Sequence, residues 1–264
     1  MTIKVFESQV THITDALYWL DGSTRHMNDK ASGIHESFNV EITNINTQTA
    51  RLKVIQKSGA IVLHRPDQGV SFPQTTNETQ RSRPEQTPVT LNAIISHPAG
   101  TYNPRRVNID IGSGEGHSVW MYPALHSRSR HRRALFGSLR FEDQSPARWS
   151  LLELSVEYAP DKTITLYTQA DAHGDFELPL VGLPPLAKGI THFDASLIIK
   201  ASPLGEQDIP DPDTFSPMKI AESWDEDDEE FDFENELEFE LHPDQRTRLS
   251  TAGSALLFIT QDDD

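Results

Sequence analysis

The sequence has no cysteine in its 264 residues, which excludes disulfides, thiolate metal sites and cysteine nucleophiles. It has no apolar run near the ~18 residues that a membrane-spanning helix needs, so no membrane insertion is expected. The opening stretch, MTIKVFESQVTHITDALYWL, has no basic region leading into an apolar one. A protein made in the cytoplasm without a signal peptide, acting there or in a released particle, is the expectation. Without such a signal, the sequon Asn77-Glu78-Thr79 carries no weight. Histidines are present, but none pairs at metal-ligand spacing such as His-Glu-x-x-His, and no Gly-Lys-Ser/Thr loop occurs. Ser118 and Ser150 lack the strand-turn-helix setting of a nucleophile. No metal, cofactor or catalytic residue is therefore assigned, and a non-enzymatic protein is expected. Basic charge is also scarce. There are 23 Lys and Arg against 40 Asp and Glu, a formal net charge of −17.

Short β segments dominate what is present. Residues 38–45 (FNVEITNI) alternate apolar and polar side chains, and 51–55 and 60–64 follow across a turn at Lys57-Ser58-Gly59. Further strands are expected at 89–95, 107–111, 118–122, 135–141, 149–158, 163–169, 176–180 and 193–201. Residues 74–87 are polar throughout and read as a long loop. No segment keeps a helical period over three turns. Strands at this spacing, with turn residues between them, favour antiparallel sandwiches over βαβ units. Residues 202–217 carry four prolines and read as a linker.

The acid is concentrated. Residues 222–240 (ESWDEDDEEFDFENELEFE) hold twelve carboxylates and no Lys or Arg, whereas residues 1–219 carry 21 basic and 24 acidic groups. The second half of this stretch is patterned. Phe231, Phe233, Leu237, Phe239 and Leu241 alternate with Asp232, Glu234, Glu236, Glu238 and Glu240, interrupted only by Asn235. A period of two puts the apolar groups on one face of an extended strand and the acids on the other. Residues 225–230 fit a solvated tail, but residues 231–241 fit a strand that adds to a sheet edge or lies across a partner. The carboxylates could condense divalent cations, yet they lack the loop spacing of a calcium site.

A basic cluster stands apart from this acid: His126, Arg128, Arg130, His131, Arg132 and Arg133. The overall acidity would repel a nucleic acid at long range, and no aromatics interleave the arginines, so an acidic protein surface is the better match. The neighbouring Gly112, Gly114 and Gly116 of IGSGEGH are followed by a strand, not a helix, so a hairpin loop is expected over a phosphate cradle. Asp171, His173 and Asp175 cluster in a turn that Gly174 explains.

Residues 163–203 (TITLYTQADAHGDFELPLVGLPPL…FDASLIIKASP) resemble the carboxypeptidase-regulatory-like sandwich, through Thr168, Asp171, Gly174 and Phe176 and the upstream Pro146, Ala147 and Trp149. One extra residue separates Thr168 from Asp171 relative to that pattern. The order of modules over 34–204 is similar to auxiliary proteins of contractile injection systems, which are phage-tail-like particles. The resemblance implies a mainly β chain of two antiparallel immunoglobulin-like sandwiches, at 1–125 and 134–204. A basic connecting loop at 126–133 would join them, with a linker at 205–220 and an extended acidic arm at 221–264 after them. It further implies a structural or adaptor subunit in a particle's cap or terminator, with the baseplate as an alternative position. Its partners would be other protein subunits, tube or sheath among them, and copies of itself in a ring. The arm residues Phe231, Phe233, Leu237, Phe239 and Leu241, with Glu234, Glu236 and Glu238, would meet loops such as Arg128, Arg130, Arg132 and Arg133. A carbohydrate- or surface-binding module that uses Trp19, Trp120 or Trp149 is the alternative.

Overall fold

In a computed structural model, the chain is described over residues 15–25, 31–44, 52–64, 88–112, 114–127, 131–205, 208–225 and 230–261. The expected loop at 74–87, Arg128, Arg130 and residues 226–229 lie outside the described residues. The protein is mainly β, with no α-helix among the described residues.

Seven strands form the first module as two sheets. One has the order β3 (Lys53–Lys57), β4 (Ala60–His64), β1 (Asp15–Asp21), β7 (Gly116–Met121). The other runs β2 (Asn39–Ile42), β5 (Val89–Ser96), β6 (Arg105–Ile111). The alternation in β5 buries Val89, Leu91, Ala93 and Ile95 and turns the intervening side chains outward. Those residues share a core with Leu17 and Trp19 of β1, Ile61 and Leu63 of β4, and Met121 of β7. The hairpin between β3 and β4 turns at Gly59, whose positive φ of 75° suits glycine.

The second module is a ten-stranded sheet. Its main path is β10 (Lys162–Gln169), β9 (Leu151–Ala159), β12 (Phe193–Ala201), β13 (Ser216–Asp225), β17 (Leu257–Thr260), β8 (Ala134–Phe141), β11 (Asp175–Pro179). Three further strands branch from it: β14 (Glu230–Glu234) on β13, β15 (Leu237–Leu241) on β12, and β16 (Arg246–Arg248) on β8. Side chains from both ends of this path fill one core, with Leu135 and Leu139 of β8 and Phe176 of β11 packed among Leu154, Leu166, Leu197 and Ile199. The sheet therefore folds over itself.

Here the structure differs from the expected linker and arm. Residues 216–260 supply five strands, and Met218, Ile220, Leu241, Leu249, Leu257 and Ile259 belong to the second core. The physical reason is the apolar phase itself, which finds its cover within the chain. The proline-rich stretch before β13 also packs. Arg105 of β6, 3% exposed, ion-pairs Asp211 at 3.1 Å and Asp213 at 2.6 Å and donates to the Trp120 carbonyl at 2.9 Å. Asn103 donates to Gln169 at 3.1 Å across the same junction. Phe215, Tyr122 and Leu151 form a small core there with Trp120, Trp149 and Tyr167 around it. The expected linker is thus a strap that ties the second module to the first.

Candidate interaction site

The acidic segment folds as two strands. β14 pairs with β13 antiparallel, with Trp224 opposite Phe231 and Ala221 opposite Phe233. After Asn235 and Glu236 the chain crosses to the other branch, and β15 pairs with β12, placing Leu241 opposite Phe193, Phe239 opposite Ala195 and Leu237 opposite Leu197. The apolar side chains of β15 face the second core, whereas those of β14 lie on the other face of the sheet, beside Ala221 and Phe258. Phe231 packs against Trp224 and Phe258 with ring centroids at 4.4 and 4.7 Å, and against Phe233 at 5.5 Å. Leu237 and Phe239 pack against the second core and Leu241 lies in it, 1% exposed. The expected edge addition occurs within the chain, so these five residues are not a free apolar face.

Glu230, Asp232 and Glu234 of β14 and Glu236 of the turn are exposed, and the outward face of β15 carries Glu238 and Glu240, also exposed. Register extends it to residues the sequence reading did not single out. Glu240 lies opposite Asp194 of β12, and Asp194 lies opposite Glu157 of β9. One step along, Glu238 faces Ser196 and Ser196 faces Ser155. Three adjacent strands thus present a row of carboxylates, bordering a depression of about 480 Å³ that no Lys or Arg lines. Like charges directly opposite on neighbouring strands repel. At the end of the row His192 approaches Glu240 at 3.6 Å and stacks edge-on against His242, with 6.0 Å between centroids. Asp194 and Glu157 were readable in principle, because both occupy outward phases of strands expected from sequence; their adjacency depends on register.

Of the basic cluster, Arg132 and Arg133 are exposed next to β8. The structure does not bring them onto the acidic strands: no ion pair joins the two groups among the described residues. The residue before them is anchored. The His131 amide and ring both meet Glu177 Oε1, at 2.9 and 3.1 Å, and Arg246 donates to Glu177 Oε2 at 2.7 Å while lying 4.3 Å over the Phe136 ring. Burial pushes the Glu177 carboxyl up. The His131 hydrogen bonds and the Arg246 charge outweigh this and hold it below its ordinary value.

The remaining motifs have structural roles. The glycine loop receives an anion from its own chain: the Asp15 carboxylate, 1% exposed, accepts from the amides of Gly112, Gly114 and Glu115. Asp171 Oδ1 accepts from the amides of His173 at 2.7 Å and Asp175 at 3.1 Å, closing its turn. A side chain at Gly174 would collide with the Leu139 carbonyl at 2.4 Å. Thr168 donates to the Glu177 carbonyl at 2.9 Å, and Phe176 is a core residue. Trp19 is buried, and Trp120 and Trp149 pack at the junction between modules, so none is an exposed platform. Among the described residues, no group of three or more His, Cys, Asp or Glu could hold a metal ion. No described helix is long and apolar enough to cross a membrane.

The fold and its outward carboxylates define a mainly β protein of two packed modules with an acidic row across β15, β12 and β9. No family model, curated protein or solved structure matches the chain.

Proposed function

We propose that the protein is a non-catalytic adaptor in a larger protein assembly, docking a basic partner surface on the acidic face of β15, β12 and β9. The row Glu240–Asp194–Glu157 carries this reading. Cross-strand like charges cost a few tenths of a kcal/mol to about 1 kcal/mol each, and a solvent-facing row needs no such arrangement for folding. A partner of opposite charge would remove that repulsion on binding. The resemblance to auxiliary proteins of contractile injection systems suggests the setting: the cap or terminator of a phage-tail-like particle, with the baseplate second. In a ring of copies, exposed Arg132 and Arg133 of one subunit are of the right charge to meet the acidic face of the next.

The test is affinity purification of the native full-length protein beside the triple variant Glu157→Gln, Asp194→Asn, Glu240→Gln. The variant should melt at the same temperature or higher and lose the proteins that co-purify with the native chain. Raising the salt should release those same proteins. A variant that keeps its partners, or a native protein that purifies alone at low salt, would refute the adaptor reading. Co-purification with tube or sheath proteins would place the adaptor in a contractile particle.

A further inference from the structure

β10 ends its sheet, and among the described residues it pairs with β9 alone. No other backbone hydrogen bond among the described residues reaches positions 163–167, so the outer N–H and C=O groups there have no described backbone partner. Such an edge is a template for another chain, and proteins commonly guard it with charge. This protein does so elsewhere. β2 carries Glu41, β3 carries Lys53 and Lys57, and β14 and β15 carry a carboxylate at every second position. β10 carries one charge, Lys162 at its start; from position 163 to 169 it reads TITLYTQ, without a charge and rich in β-branched residues.

A groove follows this uncharged stretch of the edge. Cavities of about 530 and 590 Å³ flank it and share Tyr167 and Gly182. Two of the large apolar side chains that the fold leaves exposed line them, Val181 at 62% and Tyr158 at 39%. Arg25 lines the second cavity, its guanidinium 5.2 Å from the Tyr167 ring centre and 5.8 Å from that of Trp120. Its one hydrogen bond among the described residues goes to the Tyr122 hydroxyl at 3.3 Å, and no described carboxylate lies within ion-pair distance. Aromatic faces hold the cation, and among the described residues most of its donors have no partner.

We propose that the outer edge of β10 is a strand-addition site for an extended, mostly uncharged segment of a partner protein that brings a carboxylate to Arg25. The segment's backbone pairs with residues 163–167, its alternate side chains lie against Tyr158, Ile164 and Pro184, and its acid meets the guanidinium. This deepens the adaptor reading by giving it a second, mainly apolar contact, on which it rests for its partner.

The probe is a labelled, C-terminally amidated synthetic peptide of about eight alternating Val and Thr residues ending in Asp, a usual strand length. Fluorescence anisotropy should show binding to the full chain, and hydrogen exchange at residues 163–167 should slow. An Asn-ended peptide, and separately the variant Arg25→Gln, should each weaken binding at least about tenfold, as expected for losing a charge-assisted hydrogen bond. A peptide N-methylated at alternate nitrogens should not bind, and this control leaves the protein unaltered. Absent binding, equal binding of the N-methylated peptide, or unchanged exchange at 163–167 would overturn the proposal. So would dimerisation through this edge, or an oligogalacturonate that displaces the peptide, since each gives the groove to another occupant. The adaptor reading is tested by co-purification, so either idea can fail alone.

Discussion

Glu177 sits where the two modules' connecting loop meets the second core. Its side chain is 5% exposed, one oxygen turned to His131 and the other to Arg246. Because these partners hold its carboxyl below the ordinary 4.5, the folded state binds fewer protons there than the unfolded one over that range. The stabilisation is present above the unfolded value and is lost as pH falls through the lower, folded one. Glu177→Gln should therefore be less stable than the native protein at neutral pH, and the difference should shrink steadily below about pH 4.5. Urea midpoints at several pH values measure this directly. A gap that stays constant down to pH 2–3 would mean that the carboxylate's charge contributes nothing.

At the scale of elements, β14 and β15 show how far sequence patterning reaches. Their alternation states which side chains share a covered face, and Phe231, Phe233, Leu237 and Phe239 are each partly buried. Patterning cannot name the neighbour, because one apolar face fits any sheet edge. The segment was therefore legible as strand and illegible as part of its own domain. β13 was hidden for another reason. Pro217 at its start and the register shift near Glu222 break the phase of its apolar residues Met218, Ile220, Ala221 and Trp224. The carboxylate row was half legible: Glu238 and Glu240 stand out by phase, while Asp194 and Glu157 join them only once β12 lies between β15 and β9. The strands' two faces should separate experimentally. Phe233→Ser and Phe239→Ser each remove a half-buried ring and should cost roughly 1–2 kcal/mol of unfolding free energy. Glu234→Gln and Glu238→Gln, on the solvent side, should change it by less than about 0.5 kcal/mol. Equal effects from both pairs would mean that the strands are held by charge rather than burial.

For the molecule as a whole, the junction decides whether two modules behave as one body. Arg105 is its centre, a buried guanidinium bonded to Asp211, Asp213 and the Trp120 carbonyl. Burial pushes the Asp211 carboxyl above its ordinary range, with Arg105 opposing this and the nearby Asp213 adding to it. Such a pair does not by itself imply large net stability, because desolvation cancels much of the attraction. Its removal from one side is a different matter. Arg105→Ala leaves Asp211 partly buried beside Asp213 without a counter-charge, which should cost about 3–5 kcal/mol at the junction. The strap at 208–215 should then exchange its amides and be cut by protease well before either core opens, and thermal unfolding should divide into two transitions. Adding Asp211→Ala to Arg105→Ala removes the stranded charge, so the double variant should recover part of the loss. If the double variant is as unstable as the sum of the two single changes, the strap is held by Phe215 and its apolar neighbours rather than by the ion pair.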